Sequence, residues 1–330
     1  MRTVPRNILL SLTIALLSLT GCQRHSTSET YYLVANNLKL AYWQTAVQGF
    51  NHAAAQYHVK ARVVGPDNYD SQVELTELQH AIAAKPAGIL ISVADAATFQ
   101  ADINNAIDAG IPVITMDSDA PHSHRLYFIG TNNLEAGHLG GQRVVDKLGG
   151  KGNVVFFTMP GQPNLDERFK GYQEIFSDHP GIKTVEVVDI KGVPTAAFDK
   201  AEQYMARNGD KKIDAFICLE ASAGKEVGTV LKRSKAKDRL LIAMDVDADT
   251  LSLIKNGVID ATIAQKPYTM GYIGLRALDQ IFHDGPKTLS SDYSVNIFSP
   301  FPVFVDTGTA LVDNVNVDLY SNSASEAQQK

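Results

Sequence analysis

Ala87-Gly88-Ile89-Leu90-Ile91-Ser92 is an apolar run of strand length that closes on a hydroxyl residue. A strand that is apolar at successive positions, not at alternate ones, is covered on both faces, and such strands belong to parallel sheets. A helical segment follows at 98–109 and stops at Gly110, and a second apolar run follows at 112–116. Outward from this β-α-β unit the alternation continues in both directions. Strand patterns lie at 31–35, 61–64, 88–92, 112–116 and 126–129, then at 153–157, 184–189, 215–219, 240–244 and 261–264. Helix patterns lie at 42–57, 71–84, 98–109, 165–177, 195–207, 223–233, 248–255 and 268–282. Ten strands in two sets of five, broken near 131–133, predict an α/β protein of two similar doubly wound parallel-sheet lobes. No internal sequence repeat accompanies that division.

The N-terminus reads as an export signal. Arg2 and Arg6 precede an apolar run from Ile8 to Leu19 that is too short to span a bilayer. Leu19-Thr20-Gly21-Cys22 closes it and resembles the bacterial lipobox, whose Cys is lipidated and becomes the first mature residue. The resulting expectation is a lipid-anchored protein of the cell envelope, with the signal at 1–21 and a polar, flexible tether at 22–30. The first lobe is expected over 31–131 plus 266–305, the second over 132–265 plus 306–320, and a disordered tail over 321–330.

Composition narrows the function further. The chain carries a net charge of −6, and without Arg2 and Arg6 it has 28 basic against 36 acidic residues. It has no basic stripe for nucleic acid. Of its two cysteines, Cys22 is assigned to the lipid, and Cys218 sits in the apolar run Ala215-Phe216-Ile217-Cys218-Leu219 as a small hydrophobe. There is no G-x-S-x-G, H-E-x-x-H or Walker loop, and Asp166 and Glu167 diverge as neighbours on a helix, so no catalysis is expected. His122-Ser123-His124 lacks further ligands nearby, so no metal site and no cofactor are expected.

In open α/β sheets ligands bind beyond the carboxyl ends of the strands. The residues there are Asn36, Asn37, Ser92, Asp117, Ser118, Asp119, Glu220, Asp245 and Gln265, with Asp166 in a later loop. Nearly all are polar and several are acidic. They suit either helix capping or a ligand rich in hydroxyl donors.

Four stretches resemble the type I periplasmic sugar-binding proteins, the ribose-binding group whose fold is shared by LacI-type regulators. They are Ile111-Pro112-Val113-Ile114-Thr115-Met116-Asp117, Asn164-Leu165-Asp166-Glu167-Arg168-Phe169-Lys170-Gly171-Tyr172, Ile242-Ala243-Met244-Asp245 and Ala261-Thr262-Ile263-Ala264-Gln265. The resemblance covers roughly 31–312. It implies that Asp117, Asp245 and Gln265 bind sugar hydroxyls, and that Tyr42 and Trp43 pack on the sugar's apolar face. It places Glu220 where the family usually has a polar Asn or Asp and Asn36 where a small hydroxyl residue often stands, while Ser92 and Asp119 are expected at the site as strand-end residues. Ser118 and Asp166 stand where ribose binders carry arginines, and Arg168 matches a shared helix arginine. These departures favour a hydroxyl-dense neutral sugar or polyol, or an amine-bearing one, over ribose; the Asp117-Ser118-Asp119 loop also resembles that of autoinducer-binding relatives.

The implied mechanism is closure of two lobes about crossings near 130–133, 265–267 and 305–308, followed by docking of a monomer on an ABC permease in the inner membrane. The alternative it implies is ligand sensing, with a membrane receptor or histidine kinase as partner.

Overall fold

The computed structural model describes residues 25–289 and 293–321. The signal segment, Cys22 and the tail from 322 lie outside the described residues. Among the described residues, no helix is long and apolar enough to cross a membrane.

The elements, in order, are β1 (Thr30–Val34), α1 (Ala41–Tyr57), β2 (Lys60–Val64), α2 (Ser71–Ala83), β3 (Gly88–Ile91), α3 (Ala96–Asp108), β4 (Val113–Met116) and β5 (Phe128–Gly130). Then come α4 (Asn133–Leu148), β6 (Lys151–Thr158), α5 (Pro163–Ser177), β7 (Gly181–Asp189), α6 (Pro194–Met205), β8 (Ala215–Cys218), α7 (Ala223–Arg233) and β9 (Leu240–Met244). The last are α8 (Ala248–Lys255), β10 (Ala261–Ala264), α9 (Pro267–Asp284), β11 (Phe304–Asp306) and β12 (Ala310–Asp313).

Two six-stranded sheets result, ordered β11-β5-β4-β3-β1-β2 and β12-β10-β9-β8-β6-β7. The orders correspond strand for strand: β1 to β6, β2 to β7, β3 to β8, β4 to β9 and β5 to β10. The outermost strand of each, β11 or β12, is a short piece added after α9. β11 runs parallel to β5, whereas β12 runs antiparallel to β10.

The apolar runs form strands because both faces of each sheet are covered. In β6, Val154 and Phe156 face one core cluster while Val155 and Phe157 face another. β8 divides in the same way, with Phe216 and Cys218 on one face and Ala215 and Ile217 on the other. The alternation that would mark a half-exposed strand is therefore missing. Helices α2, α3 and α8 begin where Asp70, Asp95 and Asp247 accept hydrogen bonds from first-turn backbone N–H groups.

Three differences from the sequence reading have local causes. Helix α4 was not anticipated, because Gly137, Gly140 and Gly141 dilute its helical pattern. Those glycines permit close approach: a Cβ at Gly137 would lie 2.2 Å from the Arg168 carbonyl oxygen and 2.8 Å from Gly171 Cα on α5. Strands β11 and β12 are too short to register as patterns, and their hydrogen-bonded neighbours are distant in sequence. The stretch read as a flexible tether is tied down from His25 onward. Glu29 closes a turn on Ser26 (N–H to carbonyl 3.0 Å), and the His25 ring stacks on Tyr57 with centroids 4.6 Å apart.

The chain passes between the sheets after β5, after β10 and after β11. These crossings are laced together. Thr131 Oγ1 donates to Gln265 Oε1 (2.8 Å), Thr307 N–H donates to the Gly130 carbonyl (2.8 Å), and Thr309 Oγ1 donates to the Ala264 carbonyl (2.9 Å).

Candidate functional site

The carboxyl ends of both sheets face each other across a polar cavity of about 60 Å³. It adjoins a wider space of about 700 Å³, lined among others by Gln48, Pro194, Lys225 and Tyr268, which connects it to the surface.

Asp117 follows β4 and carries its carboxylate into the cavity. Its backbone sits at φ 62°, the left-handed region that Asp tolerates better than most side chains. Tyr42 donates its hydroxyl proton to Asp117 Oδ1 (2.7 Å), Ser92 Oγ donates to Oδ2 (3.1 Å), and Asn164 Nδ2 reaches Oδ2 from the second lobe (3.3 Å). Asp245, after β9, has the same conformation at φ 66° and accepts from Gln265 Nε2 (3.0 Å).

Gln265 and Arg168 form the hinge-side wall. Gln265 Oε1 accepts from both Thr131 Oγ1 and Arg168 Nη2 (2.8 and 2.9 Å). Arg168 also donates to Asn133 Oδ1 and to the Leu219 carbonyl, each at 2.8 Å. Gln265 Nε2 thus makes one of its two possible hydrogen bonds, and Arg168 is held on three sides.

Burial dominates the electrostatics. Among the described residues, Arg168 is the single cation lining a cavity that also exposes Asp117, Glu220 and Asp245. Burial pushes all three carboxyls above their ordinary range, Asp245 to about 7, with Arg168 opposing the shift in each case. Burial, then the charges of Asp117 and Asp245, raises Tyr42, which keeps its proton and serves Asp117 as a donor.

Other predicted residues fall into two groups. Asn36, Tyr42, Trp43, Asp117, Arg168, Glu220, Asp245 and Gln265 line the cavity. Trp43 also belongs to the first lobe's core and meets Tyr42 edge-on, with centroids 5.4 Å apart. Glu220 turns back on its own helix, where Oε1 accepts from Ala223 N (2.6 Å) and Oε2 from Ser222 N (2.7 Å), so its carboxylate caps α7.

Ser92, Ser118, Asp119 and Asp166, also expected at the site, do not line the cavity. Ser92 acts through Asp117. Ser118 is fully buried behind the strand end. Asp119 is held by Arg125 in a two-point ion pair (2.5 and 2.6 Å) and by Thr115 Oγ1 (2.6 Å). Asp166 is exposed and accepts from the Gly161 N–H (3.0 Å).

Asn37, a strand-end candidate, lines the cavity as well, and so do Tyr69, Gln162, Asn164 and Ser222, which strand-end position does not single out. Asn164 Oδ1 and Gln162 Oε1 are buried without a hydrogen-bond partner. The start of the α5 motif was the available signal for Asn164. Tyr69 closes the cavity mouth against Gly192 of the other lobe: a Cβ at Gly192, whose φ is 70°, would lie 2.7 Å from Tyr69 Cβ.

Among the described residues, the site shows no nucleophile paired with a base. It is a ring of hydrogen-bond acceptors with aromatic edges between two lobes, suited to holding a ligand.

Comparison with known proteins agrees with that reading. The periplasmic binding protein domain family matches residues 31–285. The xylose/arabinose-binding protein XylF of Sulfolobus acidocaldarius is 26% identical over 78% of this chain, which spans 64% of that protein's length. The crystal structure of a sugar ABC transporter sugar-binding protein from Bacillus halodurans is 34% identical, with a TM-score of 0.75 over 89% of this chain and 100% of that one. A structure described as the XylFII-LytSN complex contains a chain 25% identical, with a TM-score of 0.77 over 88% of this chain and 99% of that one. By sequence match, sheet topology and site, the chain belongs to the periplasmic binding protein family in its sugar-binding branch, whose members hold a substrate and do not transform it.

Proposed function

We propose that this protein captures a small neutral sugar or polyol, a pentose first among them, and delivers it to an ABC importer from a lipid anchor at Cys22. The observation that carries the ligand class is the surplus of acceptors. The carboxylates of Asp117 and Asp245 face the same cavity as the unpartnered Asn164 Oδ1 and Gln162 Oε1. Sugar hydroxyls supply donors to all four, and the ring's C–H face suits Trp43 and Tyr42. Ligand touching both lobes favours their closed arrangement by its differential affinity, with 31–131 plus 266–305 and 132–265 plus 306–320 moving as the two bodies. The anchor rests on the order of Arg2 and Arg6, the apolar run and Leu19-Thr20-Gly21-Cys22.

The test is a thermal-shift screen against pentoses, hexoses, polyols and amino sugars. A ligand at a hundred times its dissociation constant adds about 2.7 kcal/mol to stability. A pentose response would support the reading. A folded protein indifferent to every sugar and polyol would overturn it. A second reading, in which the loaded protein docks on a receptor, is favoured by the XylFII-LytSN complex. Co-purification of the sugar-loaded chain with a permease or with a receptor separates the two.

A further inference from the structure

The cleft lies beyond the C-terminal end of β1, so the residues before Thr30 stand at the opposite end of the first lobe. Four metal-ligating side chains meet there: His25 and Glu29 from the N-terminal stretch, and Asp279 and His283 one turn apart on α9. His283 Nε2 is 3.1 Å from Glu29 Oε2 and 3.6 Å from Asp279 Oδ1, and His25 Nδ1 is 3.2 Å from Asp279 Oδ1. All four donor atoms lie within 4.8 Å of one another.

The geometry points to a binding site for one divalent transition-metal ion, zinc first, held by His25, Glu29, Asp279 and His283. Ligands about 2.0–2.1 Å from a tetrahedral zinc stand about 3.3–3.4 Å apart, close to the three separations above. Two imidazoles with two carboxylates select zinc, cobalt, nickel or copper over calcium or magnesium. Among the described residues, neither carboxylate pairs with a lysine or arginine, so their charge is directed at each other and at the histidines. His25 Nδ1 is buried without an aligned hydrogen-bond partner. The surroundings hold the ligands in place: Tyr31 donates its hydroxyl proton to Asp279 Oδ1 (3.1 Å), and His25 is fixed by its stack on Tyr57. A bound ion would clamp the N-terminal stretch to α9. Cys22 precedes His25 by three residues, so the clamp would set the base of the first lobe close to the anchor point.

The test uses the full-length chain purified without an affinity tag, stripped with chelator and titrated with Zn²⁺ and Co²⁺. The expected result is one ion per chain, a visible Co²⁺ absorption of four- or five-coordinate type, and a higher thermal midpoint with Zn²⁺. His25→Gln and His283→Gln should each weaken metal affinity by at least the roughly 10- to 100-fold that losing an outer-shell partner costs. His122→Ala with His124→Ala should change nothing. His25 lies outside the helices, so its variant remains informative if His283→Gln destabilises α9. Failure to bind any ion stoichiometrically, or binding that survives His25→Gln and His283→Gln together, would overturn the assignment. The readout is independent of any sugar.

Discussion

Asp117 and Asp245 occupy matching places in the two lobes. Each follows the C-terminal residue of a strand, at β4 and β9, and each has a left-handed backbone, at φ 62° and 66°. Each donates its N–H to an isoleucine carbonyl on the next strand, Ile129 at 3.1 Å and Ile263 at 2.9 Å. The unusual backbone turns both carboxylates off the sheet and into one cavity, which is what lets a single ligand bridge the lobes. A non-glycine residue in this region costs energy, and Asp meets that cost better than most.

Asp117→Asn and Asp245→Asn should each abolish the thermal shift produced by the best sugar while leaving the fold intact. Asn tolerates the same backbone, so the substitution removes charge without adding strain. Alanine at either position should destabilise the ligand-free chain by a further ~1–2 kcal/mol. Calorimetric titration of the two asparagine variants checks this. Full-strength binding by either would remove that carboxylate from the site.

The pH response has a definite sign. Asp245 titrates near 3.8 when unfolded and at about 7 in the folded chain, chiefly because it is buried. Between about pH 4 and about 7 the folded chain keeps a proton that the unfolded chain has released. Stability of the ligand-free protein should therefore fall as pH rises through that window, by up to about 1.4 kcal/mol per unit from this group. Asp117 and Glu220 shift in the same direction and add to the fall. Sugar affinity should move oppositely, because hydroxyls donate to the ionised carboxylate. It should rise toward about pH 7 by up to about tenfold per unit and then level off. Titrations of the parent from pH 5 to 8 test both slopes, and Asp245→Asn should reduce the stability slope of the ligand-free chain.

Arg168→Met should lower stability by about 3–5 kcal/mol, because it leaves buried carboxylates facing one another without their cation. Arg168→Lys should rescue little of this, since an ammonium cannot reach Asn133, the Leu219 carbonyl and Gln265 together as the guanidinium does. Denaturant titration of both variants measures the difference. Equal stability of the lysine variant and the parent would reduce Arg168 to a point charge.

Gly192→Val should weaken sugar binding without unfolding either lobe. Any Cβ there collides with Tyr69 across the cleft, and the positive φ adds strain for a β-branched residue. The ligand-induced decrease in radius of gyration should be lost in small-angle scattering. Removing the opposing side chain altogether, Tyr69→Gly with Gly192→Ala, should restore part of it, since the nearest colliding atoms include Tyr69 Cβ.

The sequence by itself determined the repeating strand-helix order, the parallel character of the sheets and the strand ends where Asp117, Asp245 and Gln265 stand. Periodicity and chain direction are local properties, and they decide which residues can reach a strand's carboxyl end. Only the tertiary structure decided where those side chains turn. Asp117 enters the cavity while Asp119, two residues on, is taken by Arg125, and Glu220 reaches the cavity wall yet spends its carboxylate on the cap of α7. Such outcomes depend on backbone dihedrals and on partners brought together by folding. Helix α4 was hidden for the same reason, because its glycines read as breakers until α5 is laid against them. The cluster of His25, Glu29, Asp279 and His283 was hidden most completely, since its two halves lie at opposite ends of the folded chain and meet only when α9 returns to the first lobe.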